Sequence, residues 1–303
     1  MIGVGHLGQH HARLLASIEG VELVGVCDTN RGRADDIAAK FGGQSFGDAR
    51  DLVSRVDAVT IAAPTVSHLG IALPFLEAGI ATLVEKPIAS SVEEAERLID
   101  SAQRGRAILA TGHTERFNPA VAAALPLIEE PRFIEIHRLG TFPERSLDID
   151  VIFDLMIHDL DLLLTVVKSE VASVEAVGVN VLTPKADIAN ARLRFASGCI
   201  ANLTASRISR ERVRKARFFQ KDAYVSIDFA AQELEVYRLV QQGARPIIHG
   251  GKVDVPREEP LRRELEDFVD AVRTGRSPGV TGRDGRDALA LATRVAEKME
   301  SQK

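Results

Sequence analysis

Three side chains in this 303-residue sequence have the types and neighbours that proton transfer requires: Lys86, Asp154 and His158. Asp154 precedes His158 by one helical turn in residues 153–167, where a carboxylate can orient an imidazole and raise its pKa, the pairing of a general acid and base. Lys86 follows a short apolar run and stands beside Pro87. There a lysine can hold substrate hydroxyls or lower the pKa of a neighbouring histidine, although a solvated loop lysine is the plainer reading. At helical spacing Asp154, His158, Asp161 and Thr165 form one polar stripe on a segment that is otherwise apolar nearly all round. Burying an unpaired carboxylate or imidazole costs several kcal/mol, so the stripe is expected to face a wet cleft, a ligand or paired groups. From this helix alone a structural Asp-His pair is an equally good account.

What positions these residues starts at the N-terminus. Gly3-Val4-Gly5-His6-Leu7-Gly8 has the spacing G-x-G-x-x-G, and an amphipathic helix is expected over residues 6–18. In that setting the first glycine permits a tight turn, the second lets backbone approach a pyrophosphate, and the third lets helix and strand pack closely. An apolar strand over residues 21–27 ends at Asp28, 20 residues after Gly8, where an acid binds the adenosine ribose hydroxyls. Only Met1 and Ile2 precede the glycines, so the first strand is expected to be unusually short or the chain to begin inside a longer reading frame. Helices over 31–41, 49–55 and 92–104 alternate with strands over 44–46, 58–63, 81–84 and 107–111. That rhythm predicts a doubly wound parallel sheet with ligand over the strand C-termini. Ala63-Pro64-Thr65 ends one strand, with Thr65 expected to cap the next helix and His68 following. Glu85-Lys86-Pro87 ends another.

From residue 131 the periodicity turns toward two. Strands are expected over 133–139, 171–182, 188–195, 199–206, 212–219, 223–229 and 234–240, a largely antiparallel sheet with one open face. Two helices, over 261–273 and 286–299, close the chain. Basic residues crowd between 207 and 217, and on a strand Arg210, Arg212 and Arg214 share a face that suits phosphates. Arg207 is the candidate for holding a substrate diphosphate, while a solvated or subunit-facing surface accounts for most of these charges.

Composition limits the alternatives. A hydrophobic fraction of 45%, 27% charged residues and no apolar run of membrane length describe a soluble globular chain, and no signal peptide is visible. The expected location is cytoplasmic. Cys27 and Cys199 lie in apolar strands, so no disulfide framework is expected. A net charge of -5 and the lack of interleaved aromatics argue against nucleic acid as a partner. His6, His10 and His11 share a helix but lack a third ligand at matching spacing, so no metal is assigned.

Four features in order resemble the glucose-fructose oxidoreductase / inositol dehydrogenase (Gfo/Idh/MocA) family: the glycine loop with its acid, Ala-Pro-Thr followed by His68, Glu85-Lys86-Pro87, and Asp154-x-x-x-His158. The resemblance implies an α/β protein, with an N-terminal Rossmann-type parallel sheet over residues 1–114 that binds the dinucleotide. It implies a C-terminal α+β domain over residues 115–303, with a largely antiparallel sheet, for substrate binding and oligomerisation. Residues 112–120 and 153–164 are similar to the branch acting on UDP-linked amino sugars. By resemblance Lys86, Asp154 and His158 form the catalytic trio. Gly3, Gly5, His6, Leu7, Gly8, Asp28, Ala63, Pro64, Thr65, His68, Glu85 and Lys86 surround NAD, NADP being disfavoured by Asp28. Glu115, Arg116 and Asn118 touch a sugar or nucleotide-sugar substrate, and a homodimer or homotetramer is implied. The alternatives are a dehydrogenase of a free sugar or polyol such as inositol, and an NAD-binding regulator without turnover.

Overall fold

The computed structural model describes residues 1–142, 149–242 and 245–300. By contact the chain divides into two units, Met1–Thr114 with Glu259–Leu289, and Glu115–Glu258 with Ala290–Lys303. The contiguous division expected from the sequence therefore misses the return of residues 259–289 to the first unit. The apolar stripe of one helix drives that return: Leu261, Leu265 and Phe268 join the cluster built on Val4, Leu14, Val26 and Leu83.

In the first unit the strands are β1 (Gly25–Cys27), β2 (Gln44–Phe46), β3 (Ala58–Ile61), β4 (Ala81–Glu85) and β5 (Leu109–Gly112). β1 pairs parallel with β2, and β3, β4 and β5 form a parallel ladder in that order. Ile2 joins the two groups as a single bridging residue, parallel to both Cys27 and Ile61. Its amide donates to Thr60 O at 2.9 Å and its carbonyl accepts from Ala62 N at 2.9 Å. The first strand of the expected sheet is thus reduced to one residue, held on both sides. β1 is shorter than expected because its partner begins only at Gln44, after Gly42 and Gly43, whose φ values are 93° and 84°. The helices are α1 (Gly8–Leu15), α2 (Arg31–Phe41), α3 (His68–Glu77) and α4 (Val92–Gly105). α4 starts where it does because the Ser91 side chain accepts from Glu94 N, while Glu94 reaches back to Ser90 N. The helix expected over 49–55 is only a 3-10 turn, Ala49–Leu52.

The second unit holds α5 (Pro119–Ala124) and α6 (Ile157–Val166) with β6 (Phe133–Leu139), β7 (Val171–Val179), β8 (Ile188–Phe195), β9 (Ile200–Ser206), β10 (Val213–Phe219), β11 (Ala223–Asp228), β12 (Glu233–Gln242) and β13 (Arg245–Val253). They form one sheet in the order β13-β12-β11-β10-β6-β9-β8-β7, antiparallel except for β6 with β9. β13 was not expected, since Pro246, Gly250 and Gly251 break its pattern. At the sheet edge those residues cost little ladder energy. The chain closes with α7 (Pro260–Thr274), in the first unit, and α8 (Gly282–Glu300).

Alternate residues of β6, β8 and β9 are buried, and on the open face Phe133, Phe219, Tyr224 and Tyr237 lie opposite one another across four strands. The turn between β7 and β8 is pinned by Asp187, which accepts from the amides of Val181, Leu182 and Thr183 and from the Thr183 hydroxyl. Arg207 is buried against it, with Nε 3.0 Å from Asp187 Oδ1 and Nη2 3.0 Å from Ala186 O. Its guanidinium is consumed by this turn, a different task from holding a diphosphate.

Burial works against the Asp187 charge, but these donors hold its carboxyl well below the usual range. A depressed folded pKa contributes stability above the unfolded value near 4 that is lost as pH falls through the folded one. Asp187→Asn should therefore lower Tm at pH 7 by about 5 °C, the equivalent of about 2 kcal/mol, and the deficit should narrow below about pH 4 in calorimetry.

Candidate active site

The first unit gathers most of its candidate residues at the C-terminal ends of β1, β3 and β4. Gly3, with φ of 80°, turns the chain out of the sheet. A Cβ there would lie 2.6 Å from Ala63 N, and one at Gly8 would lie 1.8 Å from Gly3 O. These two glycines are required by close packing of loop, strand and helix. At Gly5 a Cβ would meet only Arg33 Nη1 at 3.5 Å, so the middle of the loop is left open to a ligand. Asp28 ties the loop to the end of β1, accepting from Val4 N at 2.9 Å and from Asn30 N at 2.8 Å. A cleft of about 770 Å³ runs past Gly3, Gly5, Asp28, Arg33, Ala63 and Pro64. These residues fit a dinucleotide: two glycines close the loop, one leaves backbone bare, and a carboxylate stands at the strand end.

His6 and Leu7 are exposed on the outer part of the loop. Thr65 is half-buried and opens a 3-10 turn, Thr65–Ser67, so it does not cap α3 as expected. His68, 1% exposed, lies between two carbonyls, with Nε2 2.8 Å from Ala63 O and Nδ1 3.0 Å from Pro87 O. Burial holds this ring below the usual imidazole range, against the pull of those carbonyls. A neutral ring has one N–H and donates to only one of them, so His68 packs between the end of β3 and the turn after β4 with a single hydrogen bond. Glu85 is buried at the end of β4, where Oε1 faces His11 Nε2 at 3.0 Å. Half-buried Lys86 follows, joined to Pro87 by a cis peptide.

In the second unit the expected regular helix over 153–167 is instead a π-turn, Ile152–Met156, followed by α6. Asp154 belongs to the π-turn and His158 to the start of α6, so both stand where the backbone changes its period, a frequent feature of functional sites. The single stripe does not survive. Asp161 is buried in a bidentate pair with Arg116, at 2.7 and 2.9 Å, and the Thr165 hydroxyl donates to the Asp161 carbonyl.

Arg138 and Asp159 were missed. Arg138 Nε and Nη2 reach Asp159 at 2.9 and 2.7 Å, and Nη1 reaches Glu115 Oε1 at 2.8 Å. Burial opposes the guanidinium charge, but Asp159 and Glu115 overcome it and raise its pKa. The signal was present in the sequence: Arg138 continues the inward-facing series Ile134, Ile136. Asn118 donates to Glu115 Oε2 at 3.4 Å and to Phe229 O at 2.9 Å and caps α5 through Ala120 N, while Arg116 between them is held by Asp161. Arg210 and Arg212 precede β10, whereas Arg214 is exposed on it opposite Arg138.

Residues 1–113 match the oxidoreductase family with an NAD-binding Rossmann fold, and residues 92–221 match the Gfo/Idh/MocA C-terminal domain. The chain belongs to the Gfo/Idh/MocA family. It is 42% identical to the UDP-N-acetylglucosamine 3-dehydrogenase of Acidithiobacillus ferrooxidans, over 99% of this chain and 96% of that protein. A solved structure of that dehydrogenase superposes with a TM-score of 0.93, at 41% identity over 99% of this chain and 96% of the other. An inositol 2-dehydrogenase of Rhizobium meliloti is 28% identical over 99% of this chain and 97% of its own length. The fold recurs in levoglucosan dehydrogenase, solved with NADH and levoglucosan, with a TM-score of 0.89 at 20% identity over 100% of this chain and 96% of that one. This family member is therefore an oxidoreductase of α/β architecture, and among its described residues no helix is long and apolar enough to cross a membrane.

The glycine loop separates fold from binding in a direct test. Gly8→Ala should lower Tm by about 5 °C or more, or prevent folding, because its Cβ collides with backbone. Gly5→Ala should melt within about 2 °C of the parent, yet bind NADH at least about tenfold more weakly in a fluorescence titration.

Proposed function

We propose that the protein oxidises a secondary hydroxyl of a UDP-linked amino sugar, as UDP-N-acetylglucosamine 3-dehydrogenase does, with NAD as hydride acceptor. The observation that carries this reading is 42% identity along almost the whole chain to that enzyme, against 28% to an inositol dehydrogenase. The glycine cradle, Asp28 and the Ala63-Pro64-Thr65 strand end form the dinucleotide site, to which His6, Leu7, His68, Glu85 and Lys86 contribute contacts or support. Asp28 favours NAD, because a carboxylate that receives ribose hydroxyls repels a 2'-phosphate.

When bound, the nicotinamide supplies the hydride acceptor; the protons and the binding are the work of the chain. His158 takes the hydroxyl proton as general base, Asp154 orients the imidazole and stabilises its charged form, and Lys86 hydrogen-bonds the reacting oxygen. Glu115, Arg116 and Asn118 shape the sugar site. For the diphosphate Arg214 is a better candidate than Arg207, since it is a solvent-accessible residue paired across the sheet with Arg138 while the guanidinium of Arg207 is spent on Asp187. The reaction is assigned to the cytoplasm, in keeping with two buried, unbridged cysteines. Assembly as a homodimer or homotetramer is assigned to the open sheet face, whose aromatic row lies partly in solvent.

Incubation with NAD and a panel of UDP-sugars and free polyols, followed by NADH absorbance, should give turnover with a UDP-linked N-acetylhexosamine and little with inositol. Turnover on polyols alone would replace this reading with the free-sugar one, and none on any sugar would favour the regulator. His158→Ala should lose about 10²–10⁴-fold in kcat while binding NADH normally; a variant turning over at the native rate would remove His158 from the mechanism.

A further inference from the structure

The first unit buries a titratable cluster that the reaction above does not use. His11 from α1, Glu85 from the end of β4 and Glu264 from α7 are at most 4% exposed, and one ligand atom from each lies within 4.8 Å of the others. Glu85 has an evident task. One oxygen faces His11 Nε2 at 3.0 Å and the other accepts from Lys86 N at 3.3 Å, so its carboxylate fixes the first peptide of the turn that carries Lys86. Gly112 on β5 leaves room for it, since a Cβ there would lie 2.6 Å from the carboxyl group. Glu264 is different. It occupies the buried stripe of α7 among Leu261, Leu265 and Phe268, and no lysine or arginine ion-pairs with it among the described residues.

The geometry points to Glu264 as a neutral carboxylic acid whose proton is shared with Glu85, a positioning residue that holds the Lys86 turn. One oxygen of Glu264 lies within 4.8 Å of one of Glu85, and neither Glu264 oxygen has a hydrogen-bond partner among the described residues; a carboxylate there would face a second carboxylate in a site without water's dielectric, whereas an acid that turns toward Glu85 can donate O–H to it as a third donor. Three groups besides Glu85 bear on it: His11 on α1, Asp267 on its own helix, and the Thr114 hydroxyl, which favours the charged form. Burial and the Glu85 charge push the Glu264 carboxyl well above its usual range. The role of Lys86 rests on the proposed function; the shared proton does not.

The test compares the parent with Glu264→Gln, a neutral donor of the same shape, and Glu264→Ala. A raised folded pKa gives stability that is full below the unfolded value and lost as pH rises through the folded one. The parent and E264Q should melt within about 2 °C of each other near pH 6, with E264Q gaining on the parent toward pH 9. The infrared difference spectrum of parent minus E264Q at pH 7 should show the carbonyl stretch of a protonated carboxylic acid. With the sugar substrate, E264A should lose about tenfold in kcat more than in KM, and E264Q should restore most of it. An absent acid band, a pH-independent Tm difference, or an E264Q protein that fails to fold would overturn the shared proton. Stoichiometric zinc in the parent that E264Q loses would put a cation in its place. A normal kcat in E264A would remove the positioning role. Infrared and melting are read without substrate, so they separate failure of this inference from failure of the sugar assignment.

Discussion

A carboxylate taken out of water must be answered by donors, and in the first unit Glu85 is the group on which this requirement falls hardest. It is 4% exposed, at the end of a strand whose five residues are all buried. Three separate pieces of chain meet there: α1 brings His11, β5 brings a glycine that makes room, and α7 brings Glu264. Two unit charges no more than 4.8 Å apart repel by at least about 3 kcal/mol at an effective dielectric of 20, and their joint desolvation adds to that. That is a large fraction of the net stability of an ordinary domain. The repulsion is relieved if Glu264 keeps its proton, as proposed above, and the Glu85 carboxylate then stays on the first peptide of the turn that follows. The cluster also explains why residues after the second unit return to the first: α7 supplies both apolar cover and the last polar group of this cluster.

The second unit meets the same requirement with whole ion pairs. Arg138 with Asp159 and Glu115, Arg116 with Asp161, and Arg207 with Asp187 each match a buried or half-buried guanidinium to carboxylates in close, mostly two-point geometry. Breaking one partner leaves an uncompensated buried charge, so these pairs fix geometry more than they add net stability. The first two pairs join the segment after Thr114 to the helix bearing His158. The segment 115–118 and the helix that bears His158 are thereby tied together through Arg116 and Arg138, which limits how far either can drift independently.

How much of this was legible in the sequence depended on whether a signal was local. Helix α2 and strands β2, β6 and β8 have the expected bounds, because caps such as Asn30 and strict alternation such as that of residues 133–139 are written in adjacent residues. The glycine loop was legible because each glycine answers a steric demand within the same few residues. The π-turn was not legible, since its residues are as apolar and as helix-compatible as those of α6 that follow. Neighbours remote in sequence were also missed: Asp159 paired with Arg138, and Glu264 buried within 4.8 Å of Glu85. Each nevertheless left a trace, a charge at a position where the period of the element calls for an apolar residue. Arg138 falls on the inward face of β6, and Glu264 on the buried stripe of α7. Reading such a charge as a demand for a partner, instead of as noise in the pattern, would have located both clusters.

The same reasoning bears on cofactor choice. Asp28 has part of its acceptor capacity filled by Val4 N and Asn30 N, and the Arg33 guanidinium lies 3.8 Å from Oδ2. Those amides orient the carboxylate without consuming every lone pair, so a ribose diol can still donate to it. The side chain of Arg33 is 47% exposed, so its attraction for a 2'-phosphate is screened by solvent, whereas the Asp28 side chain is 8% exposed and its repulsion acts through a less polar medium. Two groups of opposite sign and unequal burial thus stand on the rim of one cleft, and the proposed use of NAD rests on the carboxylate outweighing the arginine.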